Sequence, residues 1–281
     1  MPPTILLASL LVQSPVLDAP TYTANSIVNT ASGLAGSYAP NTFITITGTN
    51  LAFVTRAITT GDISAGILPT ALPGTGVEVI INGVLADIYS VAPTAVLCLI
   101  PTLLTAGPAT IQLEADGLAG QPVQVTLGAS APAMFQRDAV TVLATHGDYS
   151  AVSSTAPAEI GEEIAIWATG LGATIPSAIP NQLPTTDAPL ADAQHFVVML
   201  DGVAVPTRLI DYVGANEGYA GLFQINITIP AGTGANPQIQ VGTNNGAVSV
   251  MSPPGRILPV DPSSHARPIG KPIPHRPRII M

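Results

Sequence analysis

Val77-Glu78-Val79-Ile80-Ile81-Asn82-Gly83-Val84 is the stretch on which the fold turns. Val77, Val79 and Ile81 share one face of an extended chain, and Asn-Gly then supplies the two residues that tolerate positive φ in a tight hairpin. The pattern predicts a strand, a two-residue turn and a returning strand. Working outward, Phe43-Ile44-Thr45-Ile46-Thr47 stops at Gly48, and Ala109-Thr110-Ile111-Gln112-Leu113 stops before Asp116-Gly117. Short β-prone runs punctuated by turn residues recur in this way along most of the chain. No stretch keeps apolar spacing of i, i+3, i+4, i+7 over a full helix length with caps. The chain reads as all-β.

The pattern occurs twice, in the same order. Ala39 to Leu51 matches Ala158 to Gly172; Val77 to Tyr89, through Asn82-Gly83, matches Phe196 to Tyr212, through Asp201-Gly202; Val96 to Pro101 matches Phe223 to Pro230. A repeat of about 120 residues is a duplicated domain and not a solenoid of short units. A unit of that size with about seven short strands is sandwich-sized, with alternate residues of two sheets buried against each other. The expected organisation is an apolar segment 1–19, a first immunoglobulin-like domain 20–131, a second 136–254, and a Pro-rich basic tail 255–281. Met134 and Phe135 at the joint point to a packed junction.

Composition sets limits on function. Of 281 residues, 47% are hydrophobic, enough for packed cores. None of the apolar runs approaches the roughly 20 residues of a membrane-spanning helix. Residues 1–254 hold three Arg against sixteen acids, whereas five basic residues follow Pro254. An acidic body repels polyanions, so nucleic acid is not an expected partner. Cys98, the single cysteine, excludes intrachain disulfides and sits in an apolar run that reads as a buried thiol. Ile5 to Val12 has signal-peptide length without a preceding basic residue, and reads alternatively as a strand in need of a partner.

At these residues a resemblance can be stated. Ser26-Ile27-Val28-Asn29-Thr30-Ala31-Ser32-Gly33, then Ala39-Pro40, Ile44 to Leu51, Val79 to Gly83 and Pro101, resembles an immunoglobulin-like domain of the IPT/TIG type. The second half, through Ile164-Ala165-Ile166-Trp167-Ala168-Thr169-Gly170-Leu171-Gly172 and Gly221-Leu222-Phe223-Gln224-Ile225-Asn226, is similar to an uncharacterised carboxy-terminal domain of secreted acidobacterial proteins. The resemblance implies noncatalytic, extracellular or cell-surface modules and brings no functional residues with it.

The ionisable groups offer little chemistry. Glu162 and Glu163 are adjacent and would point to opposite faces of a strand, so they read as solvated charge. His146-Gly147-Asp148 reads as an exposed polar turn, and His265 and His275 alone make a poor metal site. Gly170-Leu171-Gly172 and Gly232-Thr233-Gly234 read as turns, since neither leads into a helix that could hold a phosphate. Asn226-Ile227-Thr228 is a formal glycosylation sequon inside a strand pattern. No catalytic, cofactor-binding or metal-binding residue is identified, no cofactor is expected, and the chain is not expected to be an enzyme.

The expectation for function is a structural protein that self-assembles, plausibly as a filament subunit, by sheet-edge and terminal-segment contacts. Its candidate assembly residues are Ile5, Leu6, Leu7, Leu10, Leu11 and Val12 in the apolar segment, and Arg267, Lys271, Arg276 and Arg278 in the tail. The alternative is an adhesive module binding a surface polysaccharide or protein through Trp167, Tyr212 and Tyr219.

Overall fold

A computed structural model describes residues 18–247 and 249–266. The ten candidate assembly residues therefore lie outside the described residues. Strands dominate, and the helical elements are single 3-10 turns such as Thr60–Asp62. In the first half, one sheet runs in the order Ile27–Asn29, Phe43–Thr47, Ala95–Leu99, Asp87–Ala92, Arg56–Ala57. The facing sheet runs Val123–Leu127, Gly107–Ala115, Val77–Ile81, Val84–Leu85. Between them lies one apolar cluster that includes Ile44, Ile46, Val79, Ile81, Ile88, Cys98, Ile111 and Leu113. Val77–Ile81 alternates buried and half-buried residues along its length, as a strand with one face on the core must.

The second half repeats this plan. Its first sheet runs Ala133–Met134, Glu163–Thr169, Phe223–Thr228, Ile210–Ala215, Ala188–Pro189, and its second Val203–Ala204, Phe196–Leu200, Gln238–Asn244, Ser249–Met251. The repeat extends to irregularities. Asp87–Ala92 bulges against its neighbour between Ile88 and Ser90, and Ile210–Ala215 bulges between Ile210 and Tyr212. The turns do what their sequences demand: Asn82, Asp116 and Asp201 sit at φ of 49°, 48° and 48°, each followed by a glycine at 78°. Two successive left-handed residues match the twist of the strands that they join.

Two expectations are corrected here. Residues 256–265, expected in the tail beyond the second domain, belong to the second sandwich. Arg256–Ile257 pairs with Gln238–Asn244, and Val260–His265 pairs in parallel with Ala158–Ile160. Leu258 and Val260 enter the core of the second sandwich, so apolar burial outweighs the proline content that marked this stretch as tail. Trp167, expected to contact a ligand, is the second case: both faces of its strand are buried. Ile164, Ile166 and Ala168 face the sandwich interior, while Ala165 and Trp167 are buried on the other side under Leu222, with Phe135, Leu143 and Tyr219 packed around them.

The two sandwiches meet through a shared apolar cluster. Phe43, Leu68, Tyr89 and Leu99 of the first pack with Ala220 of the second, and Phe135 and Leu183 close the sides. Phe43 meets Tyr89 edge-on at a centroid distance of 4.8 Å. Gly221, at φ 76°, makes this approach feasible, because a Cβ there would run into Leu99 Cδ1 and the Phe43 ring. Gly221→Ala is expected to cost about 2 kcal/mol from left-handed strain and overpacking. Urea unfolding checks this, and an unchanged midpoint would contradict so close a contact.

Candidate binding site at the junction

Polar contacts register the sandwiches where apolar contacts press them together. The Thr169 hydroxyl accepts the Phe43 N–H at 3.2 Å and donates to the Gly221 carbonyl at 2.9 Å. On the opposite flank the Gln136 amide donates to the Ala31 carbonyl at 2.7 Å. Arg256 spans the same flank, donating to Ala139 and Ser32 carbonyls. Gly170, read from sequence as a simple turn glycine, sits where a Cβ would strike the Ala131 carbonyl.

A segment of the second sandwich then crosses onto the first. The Leu68 N–H donates to the Asn181 carbonyl at 2.8 Å, and the Leu183 N–H to the Gly66 carbonyl at 2.9 Å. Asn181 adopts φ 56°, a left-handed conformation that asparagine tolerates, and its side-chain amide donates to Asp87 Oδ1 at 2.6 Å. Under this crossing lies a cavity of about 100 Å³ lined from both sandwiches, by Asn41, Asp87, Leu99 and Thr102 on one side and Thr174, Ile179, Asn181 and Ala220 on the other.

The cavity's chemistry centres on Asp87. The residue is 4% exposed, and burial pushes its carboxyl up to about 6, against the opposing effect of the Asn181 amide. Among the described residues no cationic side chain pairs with it. Asn41 Oδ1 and Thr102 Oγ1 are buried without hydrogen-bond partners. Ile179 in the lining is exposed, as are Leu103 and Ile175 next in sequence to the lining residues Thr102, Thr174 and Pro176, and Ile67, which bridges to the lining residue Gln182. No sequence signal marked this site, since its members are scattered single residues in loops and strand ends.

The aromatic candidates are placed differently. Trp167 is 1% exposed, so it cannot offer its face to a ligand in the folded chain. Tyr219 packs against it, while Tyr212 lies two strands away, its hydroxyl bonded to the Ala215 carbonyl at 2.9 Å. The strand between them carries a buried polar chain in which the Asn216 amide donates to Gln224, Gln224 to Asn226, and Asn226 to Glu163. This chain ties the sheet to the 216–222 loop that presents Gly221 to the first sandwich.

Glu162 and His146 also depart from the sequence reading of solvated, independent charges. Glu162 is buried and contacts His146 Nδ1 at 2.6 Å, while its other oxygen accepts the Glu159 N–H. His146 Nε2 faces the Ala156 carbonyl at 3.1 Å. Both ring nitrogens thus meet acceptors, an arrangement that only the doubly protonated imidazolium satisfies. The Glu162 hydrogen bond, with Asp148 nearby, raises the histidine above its usual range. Among the described residues no cluster of three or more His, Cys, Asp or Glu could hold a metal ion, and no helix is long and apolar enough to cross a membrane.

Two titrations follow. A carboxyl raised from its unfolded value to about 6 weakens the fold as pH climbs from about 4 to 6. Asp87→Asn is therefore expected to stabilise the chain at pH 8 by on the order of 1 kcal/mol and to give no gain at pH 4, read by thermal denaturation. For His146 the sign is opposite. Its contribution is complete below the unfolded value near 6.5 and is lost as pH rises through the raised folded value. His146→Ala should lower the melting temperature more at pH 5.5 than at pH 9; an equal loss at both would contradict the imidazolium assignment.

A family match agrees with the architecture of the first sandwich. The family model for the IPT/TIG domain matches residues 26–127. No curated protein matches the chain. Among solved structures, the chain is similar to SGBP-B of the Bacteroides ovatus mixed-linkage glucan utilization locus, solved with a mixed-linkage heptasaccharide, at 12% identity and a TM-score of 0.32. That match covers 88% of this chain and 46% of the other, so the chain spans about half that protein's length. Domains 5–6 of the S-layer protein SbsC match at 11% identity and a TM-score of 0.23, covering 87% of this chain and all of that one. Residues 26–127 thus form an immunoglobulin-like domain of the IPT/TIG type.

Proposed function

We propose that the chain is a noncatalytic extracellular or cell-surface structural protein that associates with further copies of itself through its terminal segments. The observation that carries this reading is where the basic segment leaves an acidic body. Glu163–Thr169 ends at the junction, where Thr169 touches Phe43 and Gly221. Its other end lies roughly 20 Å away, seven residues of extended chain. There the Ala266 N–H bonds to the Ile160 carbonyl, so Ala266, which precedes the basic segment, sits at the end of the second sandwich remote from the first. Those residues hold Arg267, Lys271, Arg276 and Arg278 and no acid, while residues 1–254 carry a net −13. A basic segment leaving one end of an acidic body favours head-to-tail attraction between copies.

The IPT/TIG match supports the noncatalytic and extracellular parts of the reading, through what that family resemblance implies. A second reading, an adhesive module for a polysaccharide or protein, is favoured by the exposed apolar rim at the junction cavity. Its binding surface would be that rim and not the Trp167 side of the sheet.

Sedimentation of the full chain and of chains lacking 1–13 or 267–281 tests the first reading. Self-association is expected in the full chain and is expected to be lost when 267–281 is removed, with the fold intact because Leu258 and Val260 remain. Assembly that survives both deletions would overturn the terminal-segment mechanism.

A further inference from the structure

The junction cavity holds polar groups whose hydrogen-bonding capacity the junction uses only in part. The Asp87 carboxylate accepts the Asn181 amide and lines the cavity together with Asn41 and Thr102, whose Oδ1 and Oγ1 are buried without partners. Asn41 is 8% exposed. Burying a carboxylate with no cation is costly, as is burying oxygens without donors, so the site lacks a donor-rich, positively charged group. At about 100 Å³ the void is well below the roughly 300–1,000 Å³ of pockets that enclose whole ligands. It accommodates a functional group and not a whole molecule.

An alkylammonium fits these terms. It carries three N–H donors and no acceptor, against a carboxylate in a lining that also holds two residues with unpartnered oxygens. A guanidinium presents five donors in a flat fork and would leave some of them unmet. Leu99, Ile179 and Ala220 in the wall suit a methylene stem. The chain has one lysine, Lys271, and it lies in the basic segment. Lys271 is five residues beyond Ala266, a reach of at most about 18 Å for the backbone. The cavity of the same copy lies at the other end of the sandwich, roughly 20 Å back along Glu163–Thr169, so a contact within one copy requires both the backbone and the lysine side chain to be almost fully stretched.

We infer that the junction cavity is a lysine-capture site, occupied by the ammonium of Lys271 from a second copy of the chain. This rests on the assembly reading above and specifies its contact: the tail of one molecule inserts its single lysine between the two sandwiches of the next. Charge complementarity between the −13 body and the basic segment brings the segment to this surface, and the Asp87 carboxylate gives the lysine its seat.

The test uses full-length chains in sedimentation velocity. Lys271→Met, which keeps the stem and drops the charge, and Asp87→Asn should each weaken self-association at least tenfold. The Asp87→Asn chain should melt no lower than wild type at pH 8, which establishes that it is folded. Mixing the two variants supplies one intact lysine and one intact cavity, and should restore one-to-one pairing without longer assemblies. Wild-type assembly that is unchanged in both variants would overturn the lysine contact and leave the assembly reading standing. Association lost in each variant but not restored on mixing would place the lysine elsewhere and overturn the inference. A wild-type chain that stays monomeric would overturn the assembly reading together with this contact.

Discussion

The contact between Phe43 of one sandwich and Gly221 of the other is the constraint from which the functional surface follows. Strand Phe43–Thr47 belongs to the first core by Ile44 and Ile46, yet it turns Phe43 outward against Tyr89, Leu99 and Ala220. An aromatic ring brought that close leaves no room for a side chain on the facing loop, so the loop carries glycine there and adopts a left-handed turn. Thr169 then fixes the register, because its one hydroxyl serves both halves of the molecule. With the sandwiches held in this way, the crossing segment reaches Asp87 through Asn181, and the cavity exists. Two sandwiches swinging on a loose linker would have no such surface.

Strand elements and their duplication were legible in sequence because they rest on local rules. Asn82-Gly83, Asp116-Gly117 and Asp201-Gly202 each require positive φ at two successive residues, and the alternation in Val77–Ile81 and Phe196–Leu200 states which face is buried. The tail was misjudged for an instructive reason. Pro253, Pro254, Pro259 and Pro262 argue against a sheet interior, yet Leu258 and Val260 fall between them on a side that the second core needs. Edge and parallel pairing with Ala158–Ile160 accommodates the prolines that a central strand would reject. The site was not legible at all. Asn41, Asp87, Thr102 and Asn181 are separated by up to 140 residues, and each is unremarkable in its own window. Only the relative placement of the two halves brings them to one cavity.

Glu162 and Trp167 show a related gap. Strand alternation places Glu162 and Glu163 apart, which is right, but says nothing about what covers each one. His146, sixteen residues earlier, covers Glu162. The loop that returns through Tyr219 and Leu222 covers Trp167, and that loop is also the one that presents Gly221. The polar chain from Asn216 to Glu163 is thus part of the junction's support, although it lies outside the contact itself. Asp87 stands apart from these satisfied groups. Retaining a buried, cation-free carboxyl in a lining that also holds Asn41 and Thr102, with unpartnered oxygens, lowers stability, and such a cost is characteristic of binding sites.

Calorimetric unfolding of the full chain at low concentration tests the central claim, that the sandwiches are one packed body, most directly. A shared core and shared hydrogen bonds predict a single transition whose calorimetric and van't Hoff enthalpies agree. Two resolved transitions, each with the enthalpy of a domain of about 120 residues, would contradict it.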